Sequence, residues 1–548
     1  MKWGVRAALL GSCIAGLGLF DLPALARAPG QAVATENPTA TRDALAILRG
    51  GGSAADAAIT AALVAGVTSP SSSGLGGGGF ALSYDAATGA VVALDFREVA
   101  PRGLNPADFE RSPFAAEERG LWVGAPGEAR GLYELHRRQG KLPWAQLVRR
   151  AEERARAGYL VSQHLANALG WSSKSIAALP GFAAIYYPQG KPAAVGVRLT
   201  NPALAATLRR LAAEGPDSIY QGPIAEEIVA AARAHGSSLA LADLSDYKVV
   251  ERTPLRVRYG AREVVTMPPP SAGGILVAQL LRLFPAEQLE PLGFASPAYR
   301  HLLAEGMRGA LADRMRYLGD PDVQPVDVAA LLDEKRLERR RASIALDRTH
   351  ALPRFGLEES GTHHLVTADR RGNVVSLTTT VNRAFGAKLM TETSGIVLND
   401  ELDDFTLPGA VRPFGLSESP NRPRPGARPV SSMTPTLVFE AGQPVLALGG
   451  SGGMAIATNV AQVLLGSLVF GQTPEQALRA ERFFVPTQNA TLLVPGGTPP
   501  QQIEDLGRRG EIVGILPEFA TAVQVVRFDG DGVRAGADPR KFGEGIAE

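Results

Sequence analysis

Apolar positions along this chain follow two periods. In TATRDALAILRGGGSAADAAITAALVAGV they recur at helical spacing on both sides of a Gly-rich break, with Thr and Asp at entry positions. This pattern predicts helices over 41–49 and 53–67. The stretch FALSYDAATGAVVALDF then carries two runs of apolar, β-branched or aromatic residues about a turn at Asp85–Gly89, which signals a hairpin. The same signal recurs three times in the C-terminal third. HHLVTADRRGNVVSLTTTV turns at Asp369–Asn373, PTLVFEAGQPVLALGG at Ala441–Gln443, and AVQVVRFDGDGVRAG at Asp529–Gly532. Between them MAIATNVAQVLLGSLVF and TPEQALRAERFF read as helices, the second opened by Thr473 as N-cap with Pro474 at its first position. Residues 127–350 are richer in helical periodicity, interrupted by MPPPSAGG at 267–274. Packing two hairpin-built sheets face to face and covering them with helices is the simplest way to bury these surfaces. The expected fold is α+β, a four-layer αββα sandwich with a largely helical region in its first two thirds.

The first 28 residues change the picture at the N-terminus. Lys2 and Arg6 precede an apolar stretch from Ala7 to Phe20, and small-x-small sites follow that allow cleavage after Ala26 or Ala28. This is the pattern of a signal peptide, so residues 1–28 are expected to be removed and the product to be periplasmic or secreted. Cys13, in LLGSC, offers lipid attachment as a weaker alternative. It is also the only cysteine, so the processed chain would hold no disulfide, thiol nucleophile or cysteine metal site. No later segment is long and apolar enough for a stable membrane span. With 56 basic against 55 acidic residues and no basic run interleaved with aromatics, nucleic acid is an unsuitable partner.

Two motifs point in misleading directions. Gly74, Gly76 and Gly79 satisfy a dinucleotide fingerprint, but SPSSS precedes them and a hairpin follows, where a strand and a helix are needed. GGSGG at 449–453 fits a nucleophile elbow, yet all seven histidines lie upstream of Ser451, so the Ser, acid, His order of α/β-hydrolases cannot be met. A convergent triad using an upstream histidine stays open on order alone. The histidines form no H-E-x-x-H pair and NDELDDF lacks EF-hand spacing, so neither a metal nor any other cofactor is called for.

The segment ESGTHHLVTADRRGNVVSLTTTVN, 359–382, resembles the autocatalytic cleavage region of gamma-glutamyltranspeptidases, N-terminal-nucleophile hydrolases in which a bond is cut before a Thr-x-His. Further matches run in the same order through nearly the whole chain: SSSGLGGGGF, LDFREVAP, PGEARGL, QGKLPW, MPPPSAGG, ADRMRYLGDP, SGIVLNDELDDF, RPVSSMTPT, GGSGG and ADPR. The resemblance implies cleavage between Gly361 and Thr362. It would divide the chain into a large subunit, 29–361, and a small catalytic subunit, 362–548, which stay together as a heterodimer forming one intertwined domain. A freed α-amine, with a reference pKa of about 7.7–8.0, is a suitable base for a threonine hydroxyl near neutral pH.

By the same resemblance, Thr362 is the nucleophile and Thr380 orients it. Asn382, Glu401 and Asp404 would bind the α-ammonium of a γ-glutamyl group, while Arg97, Ser431 and Ser432 would hold its α-carboxylate. The backbone amides of Gly452 and Gly453, at an apparent helix start, would form the oxyanion hole. The implied activity is hydrolysis of glutathione and related compounds, or transfer of the γ-glutamyl group to amino acids or peptides. A glutaryl or cephalosporin acylase, or an enzyme acting on poly-γ-glutamate, is the alternative on the same scaffold, and an unprocessed binding protein is the alternative of another class. The chain departs from a common family pattern at GGSGG followed by Met454 and Ala455, and at Asp400, where asparagine is common. Residues 407–426 fall where some members carry a lid, with Phe414 as a candidate covering aromatic.

Overall fold

The computed structural model describes residues 30–111, 116–350, 361–411, 416–485, 491–516, 521–530 and 532–548. The leader 1–28, with Cys13, and Phe414 lie outside the described residues. Two antiparallel sheets form the centre. The first joins β1 (Ala32–Thr35), β2 (Gly78–Asp85), β3 (Ala90–Phe96), β4 (Val250–Arg252), β7 (Gly361–Ala368), β8 (Val374–Asn382) and β13 (Glu544–Ala547) in the spatial order β13-β1-β7-β8-β2-β3-β4. The second joins β5 (Leu255–Tyr259), β6 (Arg262–Thr266), β9 (Thr436–Glu440), β10 (Gln443–Ser451), β11 (Ala522–Asp529) and β12 (Gly532–Ala537) in the order β12-β11-β10-β9-β6-β5.

Alternation along the strands explains the stacking. In the first sheet Val33, Ala81, Leu365 and Leu377 face one apolar cluster, whereas Ala34, Phe80, Leu82, Val366 and Val374 face another. The first cluster holds α1 (Pro38–Arg49) and α2 (Ala54–Thr68); the second lies between the sheets and continues to α4 (Ala272–Leu283), α5 (Pro297–Tyr317) and α6 (Ile456–Leu468). The second sheet is apolar on both faces, as the unbroken runs Leu446-Ala447-Leu448 and Val525-Val526 require. Helices, sheet, sheet and helices therefore stack as the expected αββα sandwich. Helix α2 has apolar residues all round and is buried along its length, opened by a reciprocal cap between Ser53 and Asp56. Helix α3 (Glu128–Gln139) packs on the same sheet.

All four expected hairpins form, but several boundaries differ. Helix α1 starts at Pro38, because Asn37 accepts from the amides of Thr39 and Ala40. The helix after Thr473 stops at Arg479, short of the expected Phe484. The region 127–350 is not all helix: β4, β5 and β6 add strands to both sheets. Helix α6 begins at Ile456, three residues after Gly453, with a 3₁₀ turn over Gly453–Ala455 between them. Among the described residues no helix is long and apolar enough to cross a membrane.

Candidate active site

The start of β7 lies beside the end of β8, and Thr362 is paired with Thr380 across them. Strand pairing brings their hydroxyls to 3.2 Å. Thr380 Oγ1 also donates to the Gly361 carbonyl at 2.8 Å and accepts from the Asn382 amide at 2.8 Å. Its single hydrogen is thereby committed to Gly361, so the Thr362 hydroxyl is the donor between the two threonines. A register shift between Thr380 and Asn382 allows this, with Asn382 at φ 72° and its side-chain amide on the Asp400 carbonyl. Gly361 has no room for a side chain: a Cβ there would sit 2.1 Å from the Ser71 carbonyl oxygen. The SPSSS stretch, read above only as context against a nucleotide loop, packs directly against the bond before Thr362.

A buried cation joins this centre from the C-terminus. Lys541 Nζ donates to the Thr362 carbonyl at 3.2 Å and to Ser451 Oγ at 2.6 Å, and lies 3.3 Å from the Glu36 carboxylate. The other Glu36 oxygen accepts from the His364 amide at 2.9 Å. Ser451 is thus fully buried against a lysine, unlike the exposed serine of a nucleophile elbow. Burial, aided by Lys541, pushes His363 down to about 3, and the same two causes, in the same order, push His164 down to about 4. Burial also holds His364 well below the usual histidine range; its Nδ1 meets Thr378 Oγ1 at 2.8 Å. These imidazoles are neutral at pH 7. At the end of β10, Gly452 and Gly453 take φ values of 117° and 61°, which favour glycine and turn the chain before the 3₁₀ turn. Gly452 caps and Gly453 opens a 3₁₀ turn that runs directly into α6.

A second cluster gathers at the end of β3. Arg97 is fully buried, with its guanidinium paired to both Glu401 and Asp404 and its Nε on the Pro429 carbonyl at 2.9 Å. Burial opposes its charge, yet these carboxylates and Glu98 hold its pKa above the ordinary value. Glu401 is pushed well up by burial against the pull of Arg97. Burial likewise raises Glu98 and Glu128 to about 8, and Glu128 accepts from Thr379 Oγ1. The turn carrying Glu401 and Asp404 is pinned by Asn399, whose amide donates to the carbonyls of Gly76 and Gly124. The residues expected to clamp opposite ends of one substrate therefore pair with one another here. Ser431 accepts from the Met433 amide through its hydroxyl, and Ser432 accepts from Arg314. Residues 416–426, beyond the candidate lid's undescribed Phe414, are tied down by Asn421, which donates to the Asp404 carbonyl at 2.7 Å.

A family model, Gamma-glutamyltranspeptidase, matches residues 40–548. The chain belongs to the gamma-glutamyltranspeptidase family. It is 33% identical to the glutathione hydrolase proenzyme of Escherichia coli (strain K12), over 98% of this chain and 97% of that one. It is also 36% identical to glutathione hydrolase 2 of Arabidopsis thaliana, over 83% of this chain and 80% of the relative. Among solved structures, a cephalosporin acylase from Bacillus halodurans superposes with a TM-score of 0.84 at 26% identity, covering 95% of this chain and 96% of that one. As a member of this family the chain is an N-terminal-nucleophile hydrolase, an enzyme. Sequence reasoning missed Glu36, Ser71, His164, Arg314 and Lys541. Three of these carried a signal, since Ser71 opens SSSGLGGGGF, Arg314 lies inside ADRMRYLGDP and Lys541 directly follows ADPR.

Proposed function

We propose that this enzyme is exported through its 1–28 leader and cuts itself between Gly361 and Thr362. The resulting large (29–361) and small (362–548) subunits then act on γ-glutamyl amides, with glutathione as the donor. The observation that carries the reading is the Thr380 hydroxyl, which donates to the Gly361 carbonyl and accepts from the Thr362 hydroxyl. In the precursor, Thr362 Oγ1 attacks the Gly361 carbonyl carbon, the C–N bond breaks, and an ester forms with the proton ending on nitrogen. Water hydrolyses the ester, leaving a carboxylate on Gly361 and a free amine on Thr362.

That amine then takes the proton of Thr362 Oγ1 as the oxygen attacks the γ-carbonyl of the donor, and delivers it to the leaving amine as the C–N bond breaks. The amides of Gly452 and Gly453 receive the charge on the oxyanion. Water or the amino group of an amino acid or peptide attacks the γ-glutamyl ester to complete hydrolysis or transfer. Arg97 with Ser431 and Ser432 holds the donor's α-carboxylate; Asn382, Glu401 and Asp404 hold its α-ammonium. A zwitterionic donor would exchange the internal ion pairs of Arg97 for equivalent external ones.

An acylase acting on glutaryl side chains is the second reading, favoured by the likeness to the Bacillus halodurans structure. The two carboxylates at Glu401 and Asp404 speak for a donor with an ammonium, which a glutaryl group lacks. Turnover of γ-glutamyl p-nitroanilide against glutaryl p-nitroanilide separates the readings, and preference for the glutaryl donor overturns the first. Terminal sequencing of the processed protein should find a chain beginning at Thr362. An intact single chain in an active preparation would contradict self-cleavage.

A further inference from the structure

Three of the five N–H groups of Arg97 are already engaged in this state: Nε meets Pro429, and one from each terminal nitrogen meets Glu401 and Asp404. A second guanidinium lies beside it. Arg314, in the last turn of α5, donates to Ser432 Oγ at 2.6 Å and to the Val430 carbonyl at 3.3 Å. Among the described residues it makes no ion pair. Desolvation lowers its pKa to about 10, with Asp404 pulling it up and Arg97 pushing it down. A guanidinium set deep in the protein without a counter-ion is costly unless another group brings the charge.

The bond to Ser432 has a further consequence. Because Ser432 Oγ accepts from Arg314, its own hydrogen must point elsewhere, and it points to Met454 Sδ at 3.8 Å. A thioether is a weak acceptor that a carboxylate oxygen would displace. Arg97 and Arg314 are two cations facing the carboxyl groups of Glu401 and Asp404, and burial raises both Glu401 and Glu98, the latter to about 8, so the cluster is short of negative charge at pH 7. A zwitterionic amino-acid end enters such a pocket without a net change of charge.

We infer that Arg314 is a specificity-determining positioning residue: it holds Ser432 as a donor toward the α-carboxylate of the acyl donor and supplies the second positive charge beside Arg97. This rests on the γ-glutamyl reading given above. It adds that selection for a carboxylate-bearing acyl group is set by a residue of α5, outside the loops that carry the rest of the clamp.

The test compares wild-type enzyme with Arg314→Met, Arg314→Lys and Ser432→Ala on two donors, γ-glutamyl p-nitroanilide and 4-aminobutanoyl p-nitroanilide, which lacks the α-carboxylate. Arg314→Met should raise KM for the γ-glutamyl donor about 10- to 100-fold, the range expected for a charged hydrogen bond, with little change in kcat. Its loss on the 4-aminobutanoyl donor should be far smaller. Arg314→Lys should restore part of the discrimination, and adding Ser432→Ala to Arg314→Met should cost less than it does in the wild type. An equal loss on both donors, or a fall in kcat at unchanged KM, overturns the inference. If Arg314→Met is not processed, the lysine variant and Ser432→Ala carry the same comparison. Wild-type enzyme that fails to prefer the γ-glutamyl donor would instead sink the underlying reading.

Discussion

At Thr362 the polar groups are hydroxyls and backbone amides on paired strands, whereas at Arg97 they are charged side chains delivered by a strand end and two loops. The first centre is fixed by strand register: once β7 and β8 pair, Thr362, Thr380 and Gly361 have almost no freedom. The second is fixed by mutual attraction among buried charges, whose partners and protonation can change. A neutral hydrogen bond contributes about 1 kcal/mol net, but breaking a buried ion pair costs about 3–5 kcal/mol. A reacting centre held by register is insensitive to what the substrate carries, and a clamp held by charge can exchange its internal partners for those of a ligand.

The largest effect expected from this contrast is at the nucleophile. Thr362→Ala should remain a single chain and lose activity to below about 10⁻³ of wild type, because neither attack has an oxygen to make it. Thr362→Ser keeps the hydroxyl and should retain both steps at reduced rates. Electrophoresis and single-turnover assays check this, and cleavage of the alanine variant would remove Thr362 from the mechanism. Next in size is Thr380→Val, which keeps the shape and removes the oxygen that engages both Gly361 and Thr362. Processing rate and kcat should fall about 100-fold, as for a misplaced reactant, with KM within about twofold. A change confined to KM would mean that Thr380 belongs to the clamp instead.

These two centres were not equally legible in the sequence. The four hairpins showed because each has alternating runs long enough to fix a face and a turn rich in Gly, Asp or Asn. Strands β4 to β6 did not show: they are three to five residues long, and Arg256 and Arg258 interrupt β5. Strands β1 and β13 are four residues each and gain their place by long-range pairing, β1 with both β7 and β13, and β13 with β1 across the two ends of the chain. Thr362 and Thr380 could be named from the family motif and fall on facing strands. The clamp residues could be named as well, but not that Arg97 spends its donors on Glu401 and Asp404, since their separation in sequence hides it. Lys541, Glu36 and Arg314 come from distant segments; Arg314 and Lys541 sit in or beside family motifs, but nothing in the local pattern tells which atoms they meet.

The dependence of the clamp on charge gives it a pH response on the alkaline side, separate from the acid limb that the freed amine gives the hydroxyl centre. Burial raises Glu98 to about 8, despite the opposing pull of neighbouring Arg97. A carboxyl whose folded pKa lies above its unfolded value contributes stability that is complete below the unfolded value and is lost as pH rises through the folded one. Above about pH 8, ionised Glu98 also competes with a substrate carboxylate for Arg97. KM for a γ-glutamyl donor should therefore rise on the alkaline side, by up to about tenfold per pH unit, while the kcat of Thr380→Val keeps the same pH dependence as wild type. Glu98→Gln should flatten both the KM rise and the alkaline fall in thermal midpoint. An unchanged KM profile in that variant would place the titration elsewhere.

The smallest expected effect tests whether the nucleophile centre is as indifferent to charge as its hydroxyls suggest. Lys541 places an ammonium 3.2 Å from the Thr362 carbonyl, and Glu36, 3.3 Å from that ammonium, offsets only part of its field. His164, His363 and His364 around it are neutral, which leaves Lys541 as a positive charge close to the amine that cleavage would free. A cation there disfavours protonation of the amine and keeps it a free base at lower pH. Lys541→Met should move the acid limb of kcat/KM upward by about one pH unit, the size of a 1.36 kcal/mol interaction, and Lys541→Arg should move it little. High salt should leave the wild-type limb in place, since a buried pair is poorly screened. A loss of kcat with no movement of the limb would make Lys541 a strut between Ser451 and Thr362 rather than a control on the base, and the contrast between a neutral centre and a charged clamp would then hold without qualification.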